Sequence, residues 1–147
     1  MNKLLIISVL ASLLFTSHAM ALERYALLVG INQYTHDKDL EGSVNDVLSM
    51  QKTLINQGFK GGNITVLTNE KANLANIRKS LQGLVDSSKT GDHVFIFYSG
   101  HGAAYSPNDY ETWQQNLPKC TGAWVLGNHN PTLANSSTNN IMLAARD

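Results

Sequence analysis

The chain has 147 residues, and its 11 basic side chains balance its 11 acidic ones. That length suits one domain and excludes two ordinary ones, while 43% hydrophobic and 15% charged residues exclude a disordered chain. The balanced charge argues against nucleic acid as a partner, and a single cysteine, Cys120, excludes an internal disulfide or a CxxC site.

The first 21 residues have the pattern of a secretory signal peptide. Lys3 supplies the positive charge, residues 4–15 are apolar apart from two serines, and Ala19-Met20-Ala21 matches a cleavage site. The apolar run is shorter than the roughly 20 residues that a membrane span needs. We therefore expect cleavage after Ala21 and a periplasmic or secreted domain, residues 22–147, with no stable membrane span.

The rest of the sequence alternates between strand and helix patterns. Residues 25–29 and 93–98 are apolar almost throughout and residues 64–67 are mostly β-branched, which predicts three strands. Helices are predicted from Ser43 and after Asn73, each with an apolar stripe. The two stripes are Val44, Val47, Leu48, Leu54 and Ile55, then Leu74, Ile77, Leu81, Leu84 and Val85.

This alternation predicts an α/β fold with a parallel sheet and helices on its faces. Gly58 should end the first helix, with Phe59 placed for a hydrophobic contact. After Gly102 only residues 123–126 resemble a further strand, and the remainder reads as long loops until a new element begins near residue 141. Functional side chains of such sheets lie at the carboxyl ends of the strands.

One of those strand ends carries the sequence YSGHG, residues 98–102. Histidine is the side chain best suited to proton transfer near neutral pH. The flanking glycines allow a sharp turn, and the Gly102 amide could donate to a developing oxyanion. An ordinary loop histidine with no catalytic role is the alternative interpretation of His101.

Three segments together resemble the caspase-like cysteine peptidases, and most closely the metacaspases and their bacterial relatives. They are residues 24–32 (RYALLVGIN), 40–46 (LEGSVND) and 98–102. The resemblance implies a three-layer caspase/haemoglobinase-like fold, of which this chain holds an incomplete, N-terminal part. It also implies a cysteine endopeptidase acting on protein or peptide substrates, with His101 as catalytic histidine and Gly102 as oxyanion donor.

The resemblance further places Asp46, Ser99 and Ser43 at the pocket for the substrate's P1 side chain, the residue before the scissile bond. An acid there implies basic P1 residues, and Ser43 replaces a cysteine found in many relatives. Ser43 and Asp46 also have a structural explanation, because a serine N-cap with an acid three residues later approaches a capping box.

Cys120 is an unconvincing nucleophile. Caspase-type enzymes place the cysteine about 50 residues beyond the histidine, whereas Cys120 follows His101 by only 19 residues. The family's nucleophile is therefore expected beyond residue 147, and this chain alone is expected to be inactive. The alternative is a caspase-like pseudoenzyme that binds peptides or a partner in its cleft.

No other segment predicts a cofactor. His36, His93 and His129 lack the spacing of metal ligands, so no metal site is predicted from the residues. A calcium requirement is implied only by the resemblance, because some metacaspases need calcium. The sequence itself contains no recognisable acidic calcium-binding loop. Nothing in the sequence predicts an oligomeric state.

Overall fold

A computed structural model of the protein describes residues 22–105, 121–130 and 141–143. Short 3-10 turns flank the second strand at Gly61–Asn63 and Asn69–Lys71. The strands and helices, in chain order, are β1 (Arg24–Gly30), α1 (Ser43–Asn56), β2 (Ile64–Thr68), α2 (Leu74–Ser87), β3 (His93–Ser99), β4 (Gly102–Tyr105), β5 (Thr121–Val125) and β6 (Ile141–Leu143).

The first three strands form a parallel sheet in the order β2-β1-β3, so that β1 is central. Alternate side chains of β1 face opposite sides, as the strand period requires. Leu27 and Val29 join the core on the α2 side, whereas Ala26 and Leu28 join the core on the α1 side. The predicted α/β class is confirmed, with the sheet between two helical layers.

Gly30, the last residue of β1, allows α1 to pack unusually close to the sheet. A Cβ at this position would lie 2.6 Å from Val47 Cγ2 and 2.7 Å from the Ser43 carbonyl oxygen. Neither atom can move away, because Val47 and Ser43 are both buried. This contact fixes the N-terminus of α1 beside the carboxyl end of β1.

The start of α1 corrects one prediction. Its N-cap residue is Gly42 and makes no side-chain hydrogen bond, so Ser43 is the first helical residue and not the cap. The Asn32 side chain, from the loop after β1, instead accepts a hydrogen bond from the Val44 amide at 3.1 Å. The capping-box explanation of Ser43 and Asp46 is therefore wrong, because the loop after β1 supplies the cap.

The other predicted helix ends are confirmed. Gly58 has a φ of +89°, and the amides of Gly58 and Phe59 bond to the carbonyls of Ile55 and Leu54, which is a Schellman motif. At the start of α2, the Asn73 side chain accepts from the Asn76 amide at 2.9 Å. Within the described residues no helix is long and apolar enough to span a bilayer.

Three residues of the predicted stripes are more exposed than expected. Leu48 and Ile55 on α1 and Val85 on α2 lie at the margins of the helix–sheet contact and remain exposed. Val94 and Ile96 on β3 are exposed as well, because they face the α2 side of the sheet, where α2 packs mainly against β1 and β2. The buried centre of each stripe, by contrast, packs as predicted.

The segment after His101 also differs from prediction. Gly102 begins strand β4 instead of a long loop, and β4, β5 and β6 form an antiparallel sheet. Glycine and alanine fill most of β4, and their low strand propensity hides it in the sequence. The strand predicted at 123–126 is present as β5, which begins two residues earlier, at Thr121.

Candidate active site

His101 lies between the two sheets, directly after β3 and before β4. Its Nε2 is 2.6 Å from the backbone carbonyl oxygen of Lys38, in the loop after β1. Because a carbonyl oxygen only accepts hydrogen bonds, this contact assigns the proton to Nε2 in the neutral ring. Nδ1 then carries the lone pair and is the atom able to receive a proton.

Two tyrosines hold the backbone of His101. The Tyr34 hydroxyl accepts a hydrogen bond from the His101 amide at 2.8 Å, and the Tyr34 ring packs against the imidazole with centroids 4.5 Å apart. The Tyr98 hydroxyl lies 2.8 Å from the His101 carbonyl oxygen and 2.7 Å from that of Val125, to which it can donate. We call Tyr34 and Tyr98 the tyrosine pair.

The tyrosine pair explains the glycine before His101. A Cβ on Gly100 would lie 2.4 Å from the Tyr98 hydroxyl oxygen and 2.6 Å from that of Tyr34. The Tyr98 ring cannot swing away easily, because it stacks on Trp124 at 4.7 Å with an angle of 5° between the rings. Burial raises the pKa of the Tyr98 hydroxyl far above its ordinary value, so this group remains a protonated donor.

The Gly102 amide is not used in the hydrogen bonds between β4 and β5. Gly102 pairs with Trp124 across β4 and β5, and the adjacent bond runs from the Val125 amide to the His101 carbonyl at 2.9 Å. Since successive amides of an antiparallel strand point in opposite directions, the Gly102 N–H points away from β5. That direction is the open edge of β4 among the described strands.

Asp46 and Ser99 come together although they are far apart in sequence. The Ser99 hydroxyl donates to Asp46 Oδ2 at 2.8 Å, which joins the end of β3 to the first turn of α1. The Asp46 carboxylate is exposed, so a substrate cation could reach it. Ser43 is buried against β1 one turn away and contributes small size at the helix–sheet contact.

Other candidate residues stand apart from this group. Cys120 lies outside the described residues. His129 Nδ1 lies 3.4 Å from the Asp37 carboxylate, and His36 and His93 are exposed. Within residues 22–105, 121–130 and 141–143 no three acidic, histidine or cysteine side chains cluster as metal ligands.

Sequence reasoning missed three contributors to this site. Tyr34 and the Lys38 carbonyl lie in the loop after β1, whose sequence indicates only a polar loop. The position of a backbone carbonyl cannot be read from residue types. Asn32 belongs to the motif of residues 24–32, but its role as the cap of α1 was not predicted. Its own amide donates to the Asn69 side chain at 2.9 Å. An asparagine two residues after a buried strand is the one signal that the sequence offers.

These features define a class of protein: an α/β domain with a positioned histidine, a free amide and an acid–hydroxyl pair at the carboxyl edge of its parallel sheet. The Peptidase_C14 caspase domain family matches residues 23–142. The chain belongs to this family of cysteine peptidases, which confirms the resemblance carried by the three motifs.

Curated relatives agree with this assignment. Metacaspase-4 of Arabidopsis thaliana is 42% identical over 101 residues, covering 65% of this chain and 24% of its own length. Metacaspase-7 of the same plant is 38% identical over 101 residues, covering 65% and 25%. Metacaspase-1 of Mycosarcoma maydis is 35% identical over 86 residues, covering 54% and 21%. The chain thus spans about a quarter of the length of these relatives.

A solved structure is similar in fold. Protein GSU0716 from Geobacter sulfurreducens superposes with a TM-score of 0.58 at 20% sequence identity, covering 72% of this chain and 40% of its own. At that identity the similarity supports the fold alone.

Proposed function

We propose that the chain carries the histidine, the oxyanion donor and the P1 pocket of a caspase-like cysteine endopeptidase. The observation that carries this proposal is the Lys38 contact, which leaves His101 Nδ1 free to take a proton. A histidine held this way at the carboxyl edge of the sheet is suited to general acid–base work.

The proposed reaction is acyl transfer from a peptide bond to a thiolate. His101 Nδ1 accepts the thiol proton, the thiolate attacks the scissile carbonyl carbon, and the Gly102 amide donates to the resulting oxyanion. His101 then gives the proton to the leaving amine. Water hydrolyses the thioester, and the thiol is regenerated with release of the new carboxylate.

The nucleophile is proposed to lie beyond residue 147, and Cys120 is proposed to play no part. The support is spacing, since Cys120 follows His101 by 19 residues and not by about 50. Reading the gene beyond codon 147 distinguishes the two functions. A cysteine at the end of a further strand supports the enzyme, and a stop codon supports the peptide-binding pseudoenzyme.

The P1 pocket is proposed to select arginine or lysine through Asp46. The exposed carboxylate, held by Ser99, provides a charge-assisted hydrogen bond to a basic side chain. Because this carboxylate is exposed before substrate binds, its contribution should be nearer that of a surface ion pair than that of a buried one.

Replacing Asp46 by Asn, in a version extended to the downstream cysteine, should lower kcat/KM on Arg-P1 peptides by about 3- to 5-fold. The amide keeps an oxygen for Ser99, so the fold should be retained. Glu41→Gln, an exposed acid just before α1, is the matched control and should change the rate less than twofold. An unchanged Arg preference, or a preference for Asp at P1, would refute the pocket assignment.

Export is proposed on the signal pattern of residues 1–21 alone. The intact mass of the exported protein should correspond to a chain that begins at Leu22. Ala21→Leu, which removes a small residue from the cleavage motif, should leave the precursor uncut. A full-length species with Met1 retained in the membrane fraction would contradict export by cleavage.

A further inference from the structure

A cavity of about 540 Å³ lies beside the candidate active site and is not used by the proposed mechanism. Its volume is within the range of protein ligand pockets. Tyr34 forms a wall of the cavity, and the same ring packs against His101. The remaining walls come from the loops after β1, β2 and β5, including Asp39, Asn69, Glu70, Asn73 and Asn128.

The cavity and Asp46 belong to opposite faces of the parallel sheet, and His101 follows β3 at the carboxyl edge of that sheet. Tyr34 belongs to the core on the α2 side of the sheet, and Asn73 caps α2 itself. Asp46 lies on α1, which packs on the other face. A peptide that places its P1 side chain at Asp46 and its scissile bond at His101, and then continues across this edge of the sheet, reaches Tyr34 and the cavity.

The role of His101 indicates which half of the substrate extends from the scissile bond toward the cavity. His101 protonates the leaving amine, which belongs to the residues after the scissile bond, called P1′ and P2′. The cavity therefore faces the leaving half of the peptide. This step rests on the proposed function.

The described residues that line the cavity include two carboxylates, Asp39 and Glu70, and no lysine or arginine. Asp39 uses Oδ1 to accept from the Tyr34 amide at 2.8 Å, which leaves its Oδ2 available. Within the described part of the chain, the Glu70 carboxylate is exposed and enters no ion pair. A lysine or arginine side chain would find two carboxylates and several amide groups there.

We propose that this cavity is a primed-side subsite, in which Asp39 and Glu70 favour a basic residue at P1′ or P2′ of the substrate. Tyr34 lines this subsite and also packs against His101. A side chain bound in the cavity would therefore contact the residue that positions the imidazole.

The test is a peptide titration of the ¹⁵N-labelled protein, followed by amide resonances, which needs no nucleophile. Two peptides share Arg at P1 and carry either Lys or Glu at both P1′ and P2′. The Lys peptide should shift the Glu70 and Asn128 amides and bind about 3- to 10-fold more tightly at low salt. The double variant Asp39→Asn, Glu70→Gln should reduce that difference below twofold.

Asp86→Asn, an exposed acid near the end of α2, is the control and should leave both affinities unchanged. Shifts at Asp46 and Ser99 with none at Glu70 and Asn128 would overturn the subsite and leave the P1 pocket standing. Shifts around the cavity with none at Asp46 would overturn its assignment as a primed subsite. No resonance shift at the cavity or at the P1 pocket would contradict both the subsite and the proposed function.

Discussion

His101→Ala is expected to lower peptide cleavage by about 10³-fold, and by 10²-fold at least, in a version of the chain extended to the downstream cysteine. The thiol would lose the base that receives its proton, and the leaving amine would lose its proton donor. Initial rates on an Arg-P1 peptide over pH 5–9 measure the effect. The wild-type extended chain should show a bell-shaped profile in kcat/KM, and the variant should lose it.

His93→Ala provides the matched control, because His93 is an exposed histidine at the other end of β3. Its rate should stay within twofold of the wild type. A rate for His101→Ala within tenfold of the wild type would contradict the role of His101, provided that the variant unfolds at the same urea concentration.

Gly100→Ala is expected to destabilise the fold by about 1–3 kcal/mol, the range for overpacking a filled site. The added methyl group would sit 2.4 Å from one hydroxyl of the tyrosine pair and 2.6 Å from the other. Urea unfolding followed by circular dichroism gives the change in the free energy of unfolding. Gly122→Ala is the control, because a Cβ there meets nothing within 4 Å.

The same Gly100→Ala change should also displace His101. The tyrosine pair bonds to the amide and the carbonyl of His101, so moving either hydroxyl moves the imidazole relative to the Lys38 carbonyl. Displacing a catalytic group by about 1 Å can cost some 10²-fold in rate. Stability and activity equal to those of Gly122→Ala would show that the tyrosine pair is not a rigid support.

The parallel half of the fold could be predicted because local signals and tertiary packing agree there. The apolar run 25–29 forms the central strand of the sheet, in which residues 26–29 are fully buried. Gly58 ends the first helix and Asn73 begins the second, each through the hydrogen bonds that its residue type favours. β4 could not be predicted in this way. Its Gly-Ala-Ala-Tyr sequence has little strand propensity, and pairing with β5 determines its structure.

The residues of the candidate site could be predicted where the contacts involve side chains, and could not be predicted where they involve the backbone. His101, Ser99 and Asp46 carry their chemistry in their side chains, and the parallel topology brings all three to one edge. The Lys38 carbonyl, by contrast, could be placed only by the path of the loop. Ser43 looked like a helix cap because serine favours that position, yet Asn32 caps the helix from a separate loop.

The most direct test of the central claim is covalent labelling of the extended chain with a peptidyl-arginine acyloxymethyl ketone, followed by peptide mapping. The inhibitor alkylates a thiolate activated beside a bound P1 arginine. The predicted result is one label, on a cysteine beyond residue 147, present in the wild type and in Cys120→Ser and absent from His101→Ala. A label on Cys120, or a labelled downstream cysteine that does not depend on His101, would contradict the account.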